Sequence, residues 1–286
     1  MRNTATLALA LAAVLAASSG AFADQPKAPV TPASLIQRQV AAASIDAVLA
    51  GDWRSDKNKA RDQYRHPKET LGFFGVKPNL TVVELVPGGG WYTEILAPYL
   101  KDHGQYVGAI FKPKNPTGEA ANDKSGLRKR FADDPTHFGK AQIVEFDGKA
   151  PVFGAPASAD VVLTFRNVHN WTDDGNADAM FKAMYTVLKP GGTLGVVDHR
   201  AKPGTTLEQD KDSGYLPVDV VVKLATDAGF KLEAQSEINA NPKDTKDYPK
   251  GVWTLPPSLA LKDVDRDKYL AIGESDRMTL KFVKPK

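Results

Sequence analysis

The sequence predicts an α/β fold whose sheet is mostly parallel and carries helices on both faces. Apolar, β-branched segments alternate with segments of helical spacing along the chain, as in parallel sheets with crossover helices. The composition, 42% hydrophobic and 25% charged over 286 residues, suits a full globular core. Three consecutive glycines join the apolar segment 81–86 to the helical segment 91–100. Such a turn can hold a nucleotide-like group at the end of a parallel strand.

The amino-terminal segment has the composition of a secretory signal. Arg2 precedes an alanine-rich apolar run over residues 5–17, and Ala21, Phe22 and Ala23 form a small-x-small cleavage pattern. We therefore expect a signal peptide over residues 1–23, cut before Asp24, and a periplasmic or secreted protein without cysteine. The alternative is an uncleaved membrane anchor, but the run is short for a span of roughly 20 residues.

The charge balance gives no reason to expect nucleic acid as a partner. The formal net charge is only +3, and the lysines are spread among aspartates rather than gathered in one patch. We expect a small-molecule substrate and no stable membrane insertion after signal cleavage.

Residues 24–70 read as an amino-terminal lead-in followed by helices. The proline-rich residues 24–32 predict a flexible start, and the spacing of apolar residues predicts a helix over 33–49. The charged segment 52–67 is either a solvated helix or a lid. The solvated helix is favoured, because runs of charged residues usually face water. As a lid, it would present these side chains to a ligand: Arg61, Tyr64, Arg65 and His66.

The glycine turn lacks the full dinucleotide-binding fingerprint. Gly88 and Gly90 supply the first two glycines, but Thr93 stands at the third position. A nicotinamide dehydrogenase is therefore disfavoured. A tight turn without any ligand remains the simpler alternative.

The remaining elements follow in the order expected of a doubly wound sheet. Further strands are predicted at 105–111, 141–146, 160–165, 193–197, 230–238 and 278–283. A loop and polar helix are predicted over 115–131, a helix from Thr172 or Asp173 to Leu188, and another over 215–228. Residues 239–276 form a polar, proline-rich insertion, which we expect to be a functional or mobile loop-rich cap.

Two motifs carry a resemblance to a known family. The segment 84–90, E-L-V-P-G-G-G, resembles motif I of the class I S-adenosylmethionine-dependent methyltransferases, with Glu84 as its acid and Val86 in place of the first glycine. The segment 188–194, L-K-P-G-G-T-L, resembles the helix-turn-strand segment of the same enzymes. With its signal peptide, the chain resembles the exported predicted methyltransferases of proteobacteria. The resemblance implies a Rossmann-like domain over 71–286, with seven strands and an antiparallel last strand.

The resemblance also implies S-adenosylmethionine as cofactor. Asp147 matches an acid that receives the adenine amino group, although Asp-Gly is equally well explained as a turn. Ile110 stands where these enzymes carry an acid for the ribose hydroxyls, so one charge-assisted hydrogen bond is lost. The implied cofactor-binding residues are Glu84, Pro87, Gly88, Gly89, Gly90, Trp91, Asp147 and Asn167.

Two histidines are expected at the carboxyl ends of the strands. His169 or His199 could remove a proton from the methyl acceptor, with Asp198 or Asn170 holding the ring in one tautomer. Alternatively, these histidines only bond loop backbone, and nearby tryptophans only fill the core. No metal is predicted, because the possible zinc ligands have no local spacing. The candidate substrate contacts are Asn170, Trp171, Arg200 and Tyr64.

Three functions remain open from the sequence alone. The first is methyl transfer to an unidentified small molecule. The second is an exported binding protein that kept the fold but does not methylate, which Ile110 and the signal peptide favour. The third is an interaction module that docks a partner on the insertion 239–276.

Overall fold

A computed structural model describes residues 44–113 and 126–286, which contain a seven-stranded sheet. The strand order is β3-β2-β1-β4-β5-β7-β6. Neighbours among β1 to β5 pair in parallel, whereas β7 is antiparallel to β5 and β6. The predicted sheet is therefore confirmed. Its strands are β1 Thr81–Leu85, β2 Gln105–Phe111, β3 Gln142–Phe146, β4 Ala159–Phe165, β5 Leu188–His199, β6 Lys231–Ser236 and β7 Arg277–Val283.

Helices cover both faces of this sheet. Adjacent residues of a strand point to opposite faces, so Val82 and Val83 belong to different hydrophobic clusters. One cluster includes helices α9 and α10, and the other includes α1, α4 and α5. The helices are α1 Ile45–Ala50, α2 Asp56–Lys59, α3 Asp62–Arg65, α4 Pro67–Phe73, α5 Thr93–Leu100, α6 Leu127–Asp133, α7 Pro135–Phe138, α8 Val168–Asp173, α9 Ala177–Val187, α10 Val218–Asp227 and α11 Arg266–Ile272.

The segment after β4 differs from the prediction. We expected one helix from Thr172 or Asp173 to Leu188, but α8 forms first and α9 follows it. Helix α8 begins where the Asp198 carboxylate accepts the Val168 N–H, at 2.7 Å. It is followed by Gly175, whose positive φ of 69° breaks the helical path before α9. The cap comes from a distant strand, so local sequence could not reveal it.

The insertion 239–276 is loop-rich, as predicted, with only α11 and a 3₁₀ helix over Gly251–Thr254. The charged segment 52–67 folds into the short helices α2 and α3 rather than one helix. The predicted signal 1–23, the lead-in 24–32 and most of the predicted helix 33–49 lie outside the described residues. Within the described ranges, none of the helices combines the length and apolar character needed to cross a membrane.

Candidate functional site

The candidate site lies at the carboxyl ends of the parallel strands. The glycine turn follows β1, helix α8 follows β4, and His199 ends β5. Strand β7 runs the other way, so its first residue, Arg277, pairs with His199. In open parallel sheets this edge forms the ligand crevice.

The glycine turn has a left-handed backbone at alternate positions. The φ angles of Val86, Gly88 and Gly90 are 45°, 59° and 77°. A β-branched residue in this region is strained, at a cost of roughly 1–3 kcal/mol, and such strain concentrates at functional sites. Val86 therefore keeps the conformation that a glycine would adopt without strain.

The outer part of the turn is open. Gly88 and Gly89 are exposed, and a Cβ atom added at either would meet nothing within 4 Å. Among the described residues, the N–H groups of these two glycines have no hydrogen-bond acceptor. Two backbone donors are thus available to a ligand in the turn between β1 and α5.

Helix α6 packs against the inner part of the turn. Arg130 Nη2 donates to the Gly89 carbonyl at 3.2 Å, and Arg130 Nη1 donates to Glu94. A Cβ on Gly90 would lie 3.1 Å from Leu127 Cδ2, so this close approach favours glycine. The sequence offered no signal for Arg130, because its contacts cross about 40 residues of chain.

Glu84 supports the turn from below. Its Oε2 accepts the Tyr106 hydroxyl at 2.7 Å and the Thr93 hydroxyl at 3.0 Å, which ties β1 to β2 and α5. Burial raises the pKa of Glu84 to about 7, although these hydrogen bonds oppose the rise. Both hydrogen bonds join Glu84 to other side chains of the protein, so a direct cofactor contact by Glu84 stays a prediction.

The end of β2 presents an aromatic ring rather than a carboxylate. Ile110 is buried, whereas the next residue, Phe111, is 41% exposed and packs against Phe146. Asp147 is exposed, and its Oδ1 accepts the Lys149 N–H at 2.8 Å. That bond belongs to the Asp-Gly turn, and an adenine contact of Asp147 stays a prediction.

Asp198 and His169 form a buried pair. Asp198 is fully buried and accepts the N–H groups of Val168 and His199, at 2.7 and 2.8 Å. Its Oδ1 lies 2.9 Å from His169 Nδ1. Burial opposes ionisation of Asp198, but His169 and, to a smaller degree, His199 outweigh it and lower the pKa of the carboxyl. The carboxylate therefore selects the Nδ1–H tautomer of His169.

This tautomer leaves His169 Nε2 as a proton acceptor. Burial disfavours the charged ring, but Asp198 outweighs burial and raises the pKa of His169. Among the described residues, Nε2 has no hydrogen-bond partner. The arrangement is that of a general base with an orienting carboxylate.

His199 differs from His169 in its electrostatic surroundings. Its ring centroid lies 5.2 Å from that of His169, and its Nδ1 is hydrogen-bonded to Ser275 Oγ. Burial and the neighbouring cationic groups outweigh Asp198 and hold the pKa of His199 well below its usual value. One ligand atom from each of His169, Asp198 and His199 lies within 4.8 Å of the others, but both Asp198 oxygens already accept backbone N–H groups.

Two predicted tryptophans lie in the hydrophobic core rather than at an opening. Trp171 is 1% exposed and packs in the cluster of α9 and α10, as the core-filling alternative expected, and its contact with a substrate stays a prediction. Trp91 is also buried, and its Nε1 donates to the Asn58 carbonyl at 2.8 Å. The Arg65 guanidinium lies 4.6 Å from the Trp91 ring centroid. Trp91 therefore anchors the segment before β1.

The other predicted residues have defined places. Asn167 is buried and donates to the Leu85 carbonyl at 3.0 Å, which links β4 to β1. Arg200 forms ion pairs with Glu237 and Asp276 at 2.7 and 2.9 Å. Asn170 is exposed, Pro87 is partly exposed, and the Tyr64 carbonyl accepts a hydrogen bond from Arg277 at 3.0 Å. Their ligand contacts stay predictions.

Sequence reasoning missed several residues beside the histidine pair. Trp253 is 38% exposed, and its ring centroid lies 6.3 Å from that of His169. Ser275 and Arg277 reach the site from the end of the insertion and the start of β7. Arg166 could have been found, because it directly follows a buried strand, the same signal that identified Asn167. The others gave no local signal.

Comparison with solved structures identifies the fold. No family model matches the chain, and no curated protein matches its sequence. A SAM-dependent methyltransferase from Aquifex aeolicus has a TM-score of 0.51 at 13% identity, with 79% of this chain and 93% of that chain covered. The [4+2]-cyclase SpnF has a TM-score of 0.54 at 14% identity, covering 82% of this chain and 85% of that chain.

A putative sarcosine dimethylglycine methyltransferase from Galdieria sulphuraria has a TM-score of 0.52 at 12% identity, covering 80% of this chain and 88% of that chain. At these identities the likeness shows the fold alone. The chain therefore has the Rossmann-like fold of the SAM-dependent methyltransferases, as predicted.

Proposed function

We propose that this chain is an S-adenosylmethionine-dependent methyltransferase that acts on a small-molecule acceptor. The observation that carries the proposal is an open glycine turn on the same sheet edge as the His169–Asp198 pair. Two N–H groups of this turn have no acceptor in the part of the chain that the structure describes. A donor site and a base thus lie at the edge where this fold binds ligands. The shared fold supports the proposal and does not establish the activity.

The turn fits the proposed cofactor in three respects. The N–H groups of Gly88 and Gly89 suit polar atoms of the ligand, and the missing side chains allow close approach. The exposed ring of Phe111 suits the adenine base. Ile110 offers no acceptor for the ribose hydroxyls, so we expect weak binding. When bound, S-adenosylmethionine supplies an electrophilic methyl group.

The residues of the chain would position the acceptor and remove its proton. His169 Nε2 accepts the proton from the oxygen or nitrogen that becomes methylated, while Asp198 keeps Nδ1 protonated. His199 stays neutral because its pKa is depressed, so a second positive charge is avoided. Trp253 lies beside His169 and would cover an acceptor bound there.

The test is calorimetric titration of the full chain with S-adenosylmethionine and with S-adenosylhomocysteine. We expect heat of binding for both. The Gly89→Val variant should abolish it without unfolding, because the new side chain enters open space where the ligand would lie. Gly72→Ala is the matched control, since a Cβ there also meets nothing within 4 Å but lies in α4. Absence of heat at millimolar ligand would refute the proposal.

A second candidate is a binding protein that retains the fold without methylating. The buried Ile110 favours it, and one structural neighbour is a [4+2]-cyclase. Ile110→Asp separates the two functions. If the donor site is only weakened, the variant should bind S-adenosylmethionine more tightly. If neither variant nor wild type binds it, the second candidate is favoured.

We also propose that the chain is exported and belongs with the exported predicted methyltransferases of proteobacteria. The support is the cationic start, the apolar run and the small-x-small pattern within residues 1–23. Amino-terminal sequencing of the protein from a periplasmic fraction tests this. We expect the mature chain to begin at Asp24, and an intact Met1 in the cytosolic fraction would contradict it.

A further inference from the structure

Four arginines gather around one glutamate at the sheet edge that holds the histidine pair. Arg61 Nε lies 2.6 Å from Glu274 Oε1, and Arg65 Nε lies 3.2 Å from Oε2. Arg277 Nη2 lies 3.0 Å from the same Oε2. Arg166 follows β4 and interacts electrostatically with Glu274 and with the other three arginines. We call Arg61, Arg65, Arg166 and Arg277 the arginine cluster.

The arginine cluster carries more positive charge than its surroundings neutralise. Three arginines share the single carboxylate of Glu274, whose pKa they lower to about 2 against the effect of burial. Within the described ranges, the Arg166 guanidinium has neither a hydrogen bond nor an ion pair. Buried Nη2 atoms of Arg61 and Arg65 also have no partner there. Arg166 is only partly exposed and the two Nη2 atoms are buried, so leaving their charge unpaired is costly and an additional anion is expected.

The pKa values of the cluster agree with this imbalance. Burial, followed by repulsion from Arg277, lowers the pKa of Arg166 to about 10. Burial and Arg166 likewise hold the pKa of Arg65 well below its usual value. Since arginine does not give up its proton in proteins, the repulsion persists until an anion relieves it.

Arg166 lies beside the candidate base. Its backbone N–H donates to the Val197 carbonyl at 2.7 Å, and Asp198 attracts its guanidinium. His169 follows three residues later in α8. A purely structural role, holding the segment before β1 to the insertion through Glu274, accounts for the other three arginines. It leaves Arg166 without a function.

We propose that the arginine cluster binds a carboxylate or phosphate group, with Arg166 as its direct contact. The binding of an anion does not depend on methyl transfer. Assigning the anion to the methyl acceptor rests on the proposed function and makes that acceptor an anionic small molecule. The other possible source of the group is the carboxylate of S-adenosylmethionine itself.

The test is titration of the full chain with inorganic phosphate in a buffer that otherwise contains no phosphate. Binding is measured by thermal shift and by calorimetry. Arg166→Gln should weaken phosphate binding about tenfold or more, the effect of losing a charge-assisted hydrogen bond. Arg166→Lys should retain part of the affinity. Arg266→Gln, at an exposed position of α11, is the matched control and should bind phosphate like wild type. Equal phosphate affinity of Arg166→Gln and wild type would overturn the proposal.

Two further arms complete the design. Without anions, Arg166→Gln should melt at the wild-type temperature or above it, because like-charge repulsion is removed. If Arg166→Gln does not fold, Arg61→Gln, whose side chain is 18% exposed, takes its place, and unchanged phosphate binding by Arg61→Gln overturns the proposal.

A comparison of two ligands identifies the source of the bound anionic group. If that group is the carboxylate of S-adenosylmethionine, Arg166→Gln loses affinity for S-adenosylmethionine but not for 5′-methylthioadenosine, which lacks the carboxylate. If it is the acceptor, both affinities stay unchanged. Phosphate binding without any donor binding would refute only the proposed function.

Discussion

Oδ1 of Asp198 lies 2.9 Å from Nδ1 of His169, although Asp198 belongs to strand β5 and His169 to helix α8, which follows β4. The same carboxylate caps helix α8 through the Val168 N–H. One buried side chain therefore fixes both the position of the helix and the tautomer of the histidine.

We expect Asp198→Asn to disable the base. The carboxamide can no longer stabilise the Nδ1–H tautomer, so Nε2 loses its role as acceptor. The rate of methyl transfer should fall about 100- to 10,000-fold, the usual contribution of a general base. Asp174→Asn, an exposed position after α8, is the control. A variant with unchanged tautomer by ¹⁵N NMR and unchanged rate would contradict the assignment.

The two histidines should titrate on opposite sides of the ordinary histidine pKa. Asp198 raises the pKa of His169 above 6.5 despite burial, whereas burial lowers that of His199 well below 6.5. In the proposed enzyme, activity should increase as pH rises through the His169 pKa, because only the neutral ring accepts a proton. Imidazole NMR titration, with His169→Gln and His199→Gln for assignment, measures both values. Two titrations near 6.5 would show that the pair is solvated rather than buried.

Glu84 should make stability depend on pH in the neutral range. Its folded pKa of about 7 exceeds the unfolded value near 4.5, so the folded state binds more protons between these limits. Its contribution to the free energy of unfolding is complete below pH 4.5 and is lost as pH rises through 7. Glu84→Gln should therefore flatten this dependence and gain on the order of 2 kcal/mol over wild type at pH 8.

Urea unfolding at pH 5 and pH 8 tests this expectation. Glu69→Gln, at an exposed position of α4, serves as the control and should keep the wild-type pH dependence. If Glu84→Gln and wild type lose stability in parallel between the two pH values, Glu84 is ionised in the folded protein.

The two tryptophans near α8 should separate packing from function. Trp171→Ala removes a buried side chain and should cost about 3–5 kcal/mol of unfolding free energy. Trp253→Ala removes a partly exposed ring and should cost less than about 1 kcal/mol. Only the second change should raise the KM for the acceptor while leaving donor affinity unchanged. The reverse pattern would place the acceptor elsewhere.

The sequence was sufficient to predict the sheet and the meeting of the two histidines with Asp198. Runs of β-branched residues and the glycine turn predicted the strands, and the strand-end rule brought His169, Asp198 and His199 together. The arginine cluster could not be predicted from the sequence, because Arg61 and Glu274 are 213 residues apart in the chain. Helix α8 was not predicted either, because its cap, Asp198, comes from a distant strand.

The most direct test of the account is a crystal structure of the chain with S-adenosylhomocysteine. We expect ligand density against the turn after β1, within hydrogen-bond distance of the Gly88 and Gly89 N–H groups, with the adenine beside Phe111. Saturating ligand that leaves this turn empty, or that binds at another part of the sheet edge, would contradict the account.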